Sequence, residues 1–171
     1  MRLLEWYRQL DLKKVQPKSI APYPGFEKSK KCLLFYQYAQ LKQAEVIAWQ
    51  ELLQKEGKQV DCLAFFEGKE KEIPQDIVPK HICRSDLTCW GRPKNAIFKE
   101  VIGQHYDVFI DLSTGNHIAA KYLRYGSNAS LKVNFGQEKK PWSDLQLKFD
   151  LKDEAAAARP ALLKLLAFIN K

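Results

Sequence analysis

Tyr106-Asp107-Val108-Phe109-Ile110-Asp111-Leu112-Ser113-Thr114-Gly115-Asn116 is the stretch whose reading decides the fold. Val108 to Leu112 reads as a strand buried on both faces, ending in a carboxylate and a run of small polar residues. A helix, Asn116 to Tyr125, is predicted to begin at once. Strand, polar loop and helix form the unit from which parallel α/β sheets are built, and ligands gather at the carboxyl ends of such strands. No segment has the spacing of a known catalytic or cofactor motif, so the fold is far more legible here than the function.

Two other runs share the pattern. Cys32 to Tyr36 and Val60 to Phe66 are continuously apolar rather than alternating, as expected of central parallel strands covered on both sides. With Val108 to Leu112 they are predicted to be adjacent, parallel and buried on both faces. Between the first two, Leu41 to Gln54 reads as a helix with Ala44, Ile47, Ala48 and Leu52 inward, stopped by Gly57. Glu67 to Lys80 is a polar crossover with room for one short helical turn, followed by a short strand near Ile82. Asn95 can cap a helix that buries Ile97, Phe98, Val101 and Ile102. Leu131-Val133-Phe135 and Leu145-Leu147-Phe149-Leu151 alternate with polar residues, the signature of half-exposed strands toward a sheet edge, with antiparallel pairing an open alternative. Leu162, Leu165, Leu166 and Ile169 stripe a last helix, in which Pro160 fits the first turn or a kink. The order βαββαβαββα with right-handed crossovers gives an α/β fold: a three-layer Rossmann-like sandwich of about six strands, mostly parallel.

The chain has 171 residues, enough for one domain with a full core and too few for two. Residues 1–15 read as a basic amphipathic helix appended to the domain, 16–29 as a proline-rich linker, and 30–171 as a single α/β domain. No apolar run approaches the roughly 20 residues of a membrane span. The first twelve residues lack the apolar core of a secretory signal, so the cytoplasm is the expected compartment. Net charge is +8, and residues 1–31 account for +5 of it, with eight Lys or Arg against three Asp or Glu. A basic arm suggests attraction to nucleic acid, anionic lipid or an acidic protein face; the plainer reading is a solubilising surface. Leu3, Trp6, Tyr7 and Leu10 would share one side of the helix with Arg8 and Gln9 away from it, and Lys13 and Lys14 follow. The expected occupant of this docking surface is a protein, either its own domain, a partner or a second copy. Nucleic acid is a candidate for the same arm, and a membrane ranks last because one short helix attaches only weakly.

Several chemistries lack their motif. The turn after the first strand, Tyr38-Ala39-Gln40-Leu41, has no glycine to admit a pyrophosphate, and no P-loop pattern occurs. Ser113 lacks the turn of a hydrolase nucleophile. Cys32 and Cys62 lie in apolar runs and read as packed thiols. A zinc site from His81, Cys83 and Cys89 has no paired knuckle and no fourth ligand, so no metal and no cofactor are expected. A ligand site can still be drawn at the carboxyl edge. Asp86, Arg92 and Lys94, before a helix start, and Asp111, Ser113 and Asn116, after the central strand, would place cations for a phosphate and a carboxylate for a sugar hydroxyl. Each residue also has an ordinary structural reading: Asn95 and Asn116 as caps, Trp90 closing the core, Arg92 paired with a surface carboxylate.

The runs Ser85-Asp86-Leu87 with Trp90-Gly91-Arg92-Pro93-Lys94-Asn95, then Tyr106 to Ser113, then Ala129-Ser130-Leu131-Lys132-Val133, resemble an uncharacterised Bacteroidetes family of small α/β proteins, domain of unknown function 6913. The resemblance spans the chain from about Lys30 onward. It implies a cytoplasmic single-domain α/β protein and carries no catalytic residue. The strand Val108 to Leu112 is also similar to strands in the N-terminal halves of bacterial glycosyltransferases, a fold-level likeness. Two functions are therefore expected. One is a non-catalytic binding or adaptor protein that docks through its basic arm. The other is a small-ligand protein that binds a nucleotide or nucleotide-sugar at the carboxyl edge of the sheet.

Overall fold

The uninterrupted apolar runs become the middle of a sheet because residues without alternation need cover on both faces. A computed structural model describes residues 2–17, 19–75, 80–113, 118–135, 143–151 and 153–169, with side chains of the first helix from Trp6 onward. The strands are β1 (Lys31–Gln37), β2 (Gln59–Phe66), β3 (His81–Cys83), β4 (His105–Asp111), β5 (Asn128–Phe135) and β6 (Leu145–Leu147). They form one sheet in the order β3-β2-β1-β4-β5-β6, and every neighbouring pair is parallel. The direction of winding reverses between β1 and β4, where open α/β sheets leave a crevice at their carboxyl ends.

Helices cover both faces. On one side α2 (Gln43–Lys55) and α5 (Ala155–Phe168) meet Cys32, Leu34, Tyr36, Val108, Ile110 and Val133. On the other, α1 (Arg2–Val15), α3 (Ala96–Gly103) and α4 (Ile118–Gly126) meet Leu33, Phe35, Leu63, Phe65 and Phe109. The three-layer α/β sandwich with an N-terminal helix is thus the architecture of the chain. Alternate residues of β1 and β4 serve opposite layers, and every residue from Cys32 to Gln37 and from Val108 to Asp111 is buried. Asn95 caps α3, its side chain accepting from Phe98 N–H at 2.9 Å. Gly57, at φ +73°, makes the left-handed turn after α2, and Lys58 N–H then donates to the Leu53 carbonyl.

Several details differ from the sequence reading, and two alternatives it left open, the direction of the last strands and the place of Pro160, are decided. The strands β5 and β6 are parallel to their neighbours, and β5 is almost wholly buried although it alternates. Its polar residues Lys132 and Asn134 point into the protein under α4, so the alternation marks an apolar layer facing a polar buried one. Only the second half of β2 is buried on both faces, because β3 pairs with Ala64 to Phe66 alone and leaves the first half without an outer neighbour. The inward residues of α2 are Val46, Trp49 and Leu53, with Ile47 exposed; the larger Trp49 side chain takes the core and rotates the helix accordingly. In α5, Pro160 stands inside the helix rather than in its first turn, on an exposed position, where water can meet the carbonyl its missing N–H leaves free. Finally, Trp90 does not close the core but remains 40% exposed.

Candidate functional site

At the carboxyl end of β4 the chain buries a charge pair. Asp111 is fully buried, and Arg124 of α4 is 1% exposed. Arg124 Nε donates to Asp111 Oδ2 at 2.5 Å, while Ser113 donates to Asp111 Oδ1 through its N–H at 2.8 Å and its hydroxyl at 2.5 Å. Arg124 Nη2 also reaches Ser113 Oγ at 3.3 Å. Lys132 of β5 donates its ammonium to the Arg124 carbonyl at 2.9 Å, and burial pushes its pKa below the usual lysine value against the opposing charge of Asp144. Asn134 lies beside Asp111 in register and accepts from Ser143 Oγ at 2.7 Å. Both Asp111 oxygens already accept hydrogen bonds, and the cluster ties β4 to α4 and β5.

The other residues expected at that edge have partners of their own. Asp86 closes the 3-10 turn Arg84–Asp86, its carboxylate accepting from Cys83 N–H at 2.8 Å. Arg92 faces α1, where its Nη1 meets Asp11 at 3.2 Å. Lys94 is exposed on the loop before α3, with its N–H donating to the Asp86 carbonyl at 2.9 Å. Asn116 lies outside the described residues. The structure therefore brings Asp111 and Ser113 together, with Arg124 as the cation of the group, while Arg92 is turned to a different partner. A separate groove of about 440 Å³ opens beside the β1–α2 connection, lined by Tyr38, Gln40, Leu41, Lys42 and Glu45 with Leu151. Lys42 precedes α2 without a side-chain cap, and Glu45 is paired with Arg159.

The second polar surface belongs to α1. One face of this helix docks on the body: Leu12 and Val15 are buried in the α3–α4 layer. Arg8 Nε donates to the Trp90 carbonyl at 3.1 Å, and Asp11 receives both Arg92 and the Tyr122 hydroxyl, the latter at 2.9 Å. Positions 8, 11, 12 and 15 lie together at helical spacing. Burial, reinforced by the hydrogen bond to Asp11, pushes the Tyr122 phenol above its usual value. The sequence reading had placed Arg8 away from the docking face; the ion pair and the buried Leu12 and Val15 rotate the helix so that Arg8 faces the protein.

The opposite face stays in water. Trp6 is 56% exposed, Tyr7 46% and Leu10 39%; the side chain of Leu3 is outside the described residues. Tyr7 stacks on Trp90 with ring centroids 5.5 Å apart and planes 28° from parallel, and Trp6 meets Tyr7 edge-on at 5.1 Å. Trp90 is presented by a tight loop: Thr88 N–H donates to the Arg92 carbonyl at 2.8 Å and Gly91 N–H to the Thr88 carbonyl at 2.8 Å. Gly91 has φ +89°, and a Cβ there would lie 2.5 Å from Ile118, so only glycine lets this loop press on α4. A groove of about 400 Å³ runs between Tyr7, Leu10, Asp11, Lys13, Lys14 and Trp90. Sequence reasoning found the helix half of this surface and missed Trp90, which lies 83 positions from Tyr7 in the chain.

Cys32 and Cys62 are packed rather than reactive. Burial pushes Cys32 up to about 12 and Cys62 up to about 11, and Cys89 is exposed. Among the described residues no three His, Cys, Asp or Glu side chains converge as metal ligands, and no helix is long and apolar enough to cross a membrane.

The model of a family of unknown function, DUF6913, matches residues 2–169, and the chain belongs to that family. The match includes α1 and the linker after it, which the resemblance read from sequence had left out. No curated protein matches the chain.

Proposed function

We propose that this member of a family without an assigned activity is a non-catalytic binding protein, which captures an anionic partner through the outer face of α1 and the Trp90 loop. The observation that carries the reading is the division of α1 into two faces. One is anchored by Leu12, Val15 and the Asp11 contacts. The other keeps three aromatic rings in water beside Lys13 and Lys14. Aromatic surface of this kind, rimmed by charge and rigidly held, marks an interaction site. The four free cysteines, without a disulfide, support placing the protein in the reducing cytoplasm. Retention on a heparin column tests the reading. The Lys13→Gln/Lys14→Gln protein should elute at clearly lower salt than the parent, by more than an exposed Lys69→Gln/Lys71→Gln control of equal charge. Equal shifts for both pairs would mean that only net charge matters, and the reading fails.

A second reading has its own observation. The 440 Å³ groove follows the carboxyl end of β1, the edge at which open α/β sheets hold ligands, and it supports binding of a nucleotide or nucleotide-sugar by Tyr38, Gln40 and Lys42. A thermal-shift screen with such compounds decides it, since a ligand near 100 Kd stabilises by about 2.7 kcal/mol. No shift at millimolar concentration rejects it.

A further inference from the structure

We infer that the partner of the α1 face is single-stranded nucleic acid, with unpaired bases stacking on the Trp6–Tyr7–Trp90 rings and phosphates meeting Lys13 and Lys14. The inference rests on the binding reading above and names its partner. Three observations combine. Tyr7 and Trp90 are nearly parallel at 5.5 Å, with Trp6 at their edge, so rings from two distant segments assemble into one aromatic platform. The rings are aimed by structure rather than left loose: Arg8 holds the Trp90 carbonyl, and Gly91 permits the close loop that carries the indole. The groove beside them is cationic, because Lys13 and Lys14 line it while its one carboxylate, Asp11, is already compensated by Arg92.

The chemistry discriminates among anions. An acidic peptide would meet the lysines and leave three exposed rings unused. A lipid surface is the weaker fit, because a single short helix with few cations holds a membrane weakly. A base offers a flat π face of the right kind, and its backbone supplies one phosphate per nucleotide. Stacking platforms flanked by cations are how proteins hold single strands without reading sequence. In a duplex the bases already stack on one another and cannot reach the rings.

The test is fluorescence anisotropy of a 5′-fluorescein-labelled 12-residue oligouridine titrated with the full chain at 50 and 200 mM salt. Binding with a Kd between about 1 and 100 µM at the lower salt is expected, weakening as salt rises. Trp6→Ala, whose ring is exposed, should weaken binding about fivefold or more while leaving the salt slope unchanged. Lys13→Gln/Lys14→Gln should reduce that slope by about 1.4. Circular dichroism of each variant checks that it folds as the parent does. A 12-base-pair duplex that binds as tightly as the single strand, or indifference to Trp6→Ala, overturns the inference. Binding of polyglutamate that depends on Lys13 and Lys14, with no oligouridine binding, overturns it and leaves the broader reading standing. If neither polymer binds, both fall.

Discussion

Replacing Arg124 by methionine should destabilise the protein by about 3 kcal/mol. The figure follows from what remains around Asp111. Its carboxylate is fully buried, so no water replaces the lost guanidinium. Breaking a buried pair by removing one partner costs about 3–5 kcal/mol, because the other charge stays uncompensated. Here the lower end applies, since the Ser113 N–H and hydroxyl still donate to Oδ1. Adding Asp111→Asn to the methionine variant removes the charge and keeps an acceptor for Ser113. About 2 kcal/mol should return, with the remainder reflecting an unpaired amide N–H. Urea unfolding of the parent, both single variants and the double variant completes the cycle. If Arg124→Met cost less than about 1 kcal/mol, the pair would not be a buried ion pair. If the double variant were no more stable than Arg124→Met alone, the loss would come from packing of the long side chain.

Tyr23 is pushed up to about 12 by burial, and Tyr106 and Tyr122 are pushed higher still, by burial with Asp61 and Asp11 beside them. Their folded values exceed the unfolded value near 10, so their contribution is fully present below about pH 10 and is lost as pH rises toward and past 12; melting temperature should fall across that window, and an unchanged value at pH 11 contradicts it. Native protein at pH 8 should react rapidly with a thiol reagent at Cys89 alone, and all four cysteines should react after unfolding; rapid labelling of Cys32 in the native state would deny its burial. Tyr122→Phe removes the hydroxyl that reaches Asp11, which should cost about 1 kcal/mol and speed hydrogen exchange in α1 selectively; uniform acceleration throughout the chain would argue against a local clamp.

The sequence by itself determined the layered α/β architecture and the order of its elements, because periodicity and turn chemistry are local. The runs Cys32 to Tyr36 and Val108 to Leu112 carry no alternation, and a strand of that kind must be covered twice. Asn95 and Gly57 mark helix ends for reasons internal to the backbone. The outer face of α1 was legible in part for the same reason: Trp6, Tyr7 and Leu10 share one side of a helix whatever it packs on. The tertiary structure alone decided what each face meets. An alternating strand shows that its two faces differ, but β5 turns its polar face to Arg124 rather than to water. Whether β6 runs parallel depends on a crossover, which local pattern does not encode. The partners of Asp111, Asp11 and Tyr7 are Arg124, Arg92 with Tyr122, and Trp90. Even the first of these pairs lies on separate elements, and the others join segments some eighty or more positions apart, so the charge of a carboxylate or the face of a ring says nothing of its neighbour until the chain has folded.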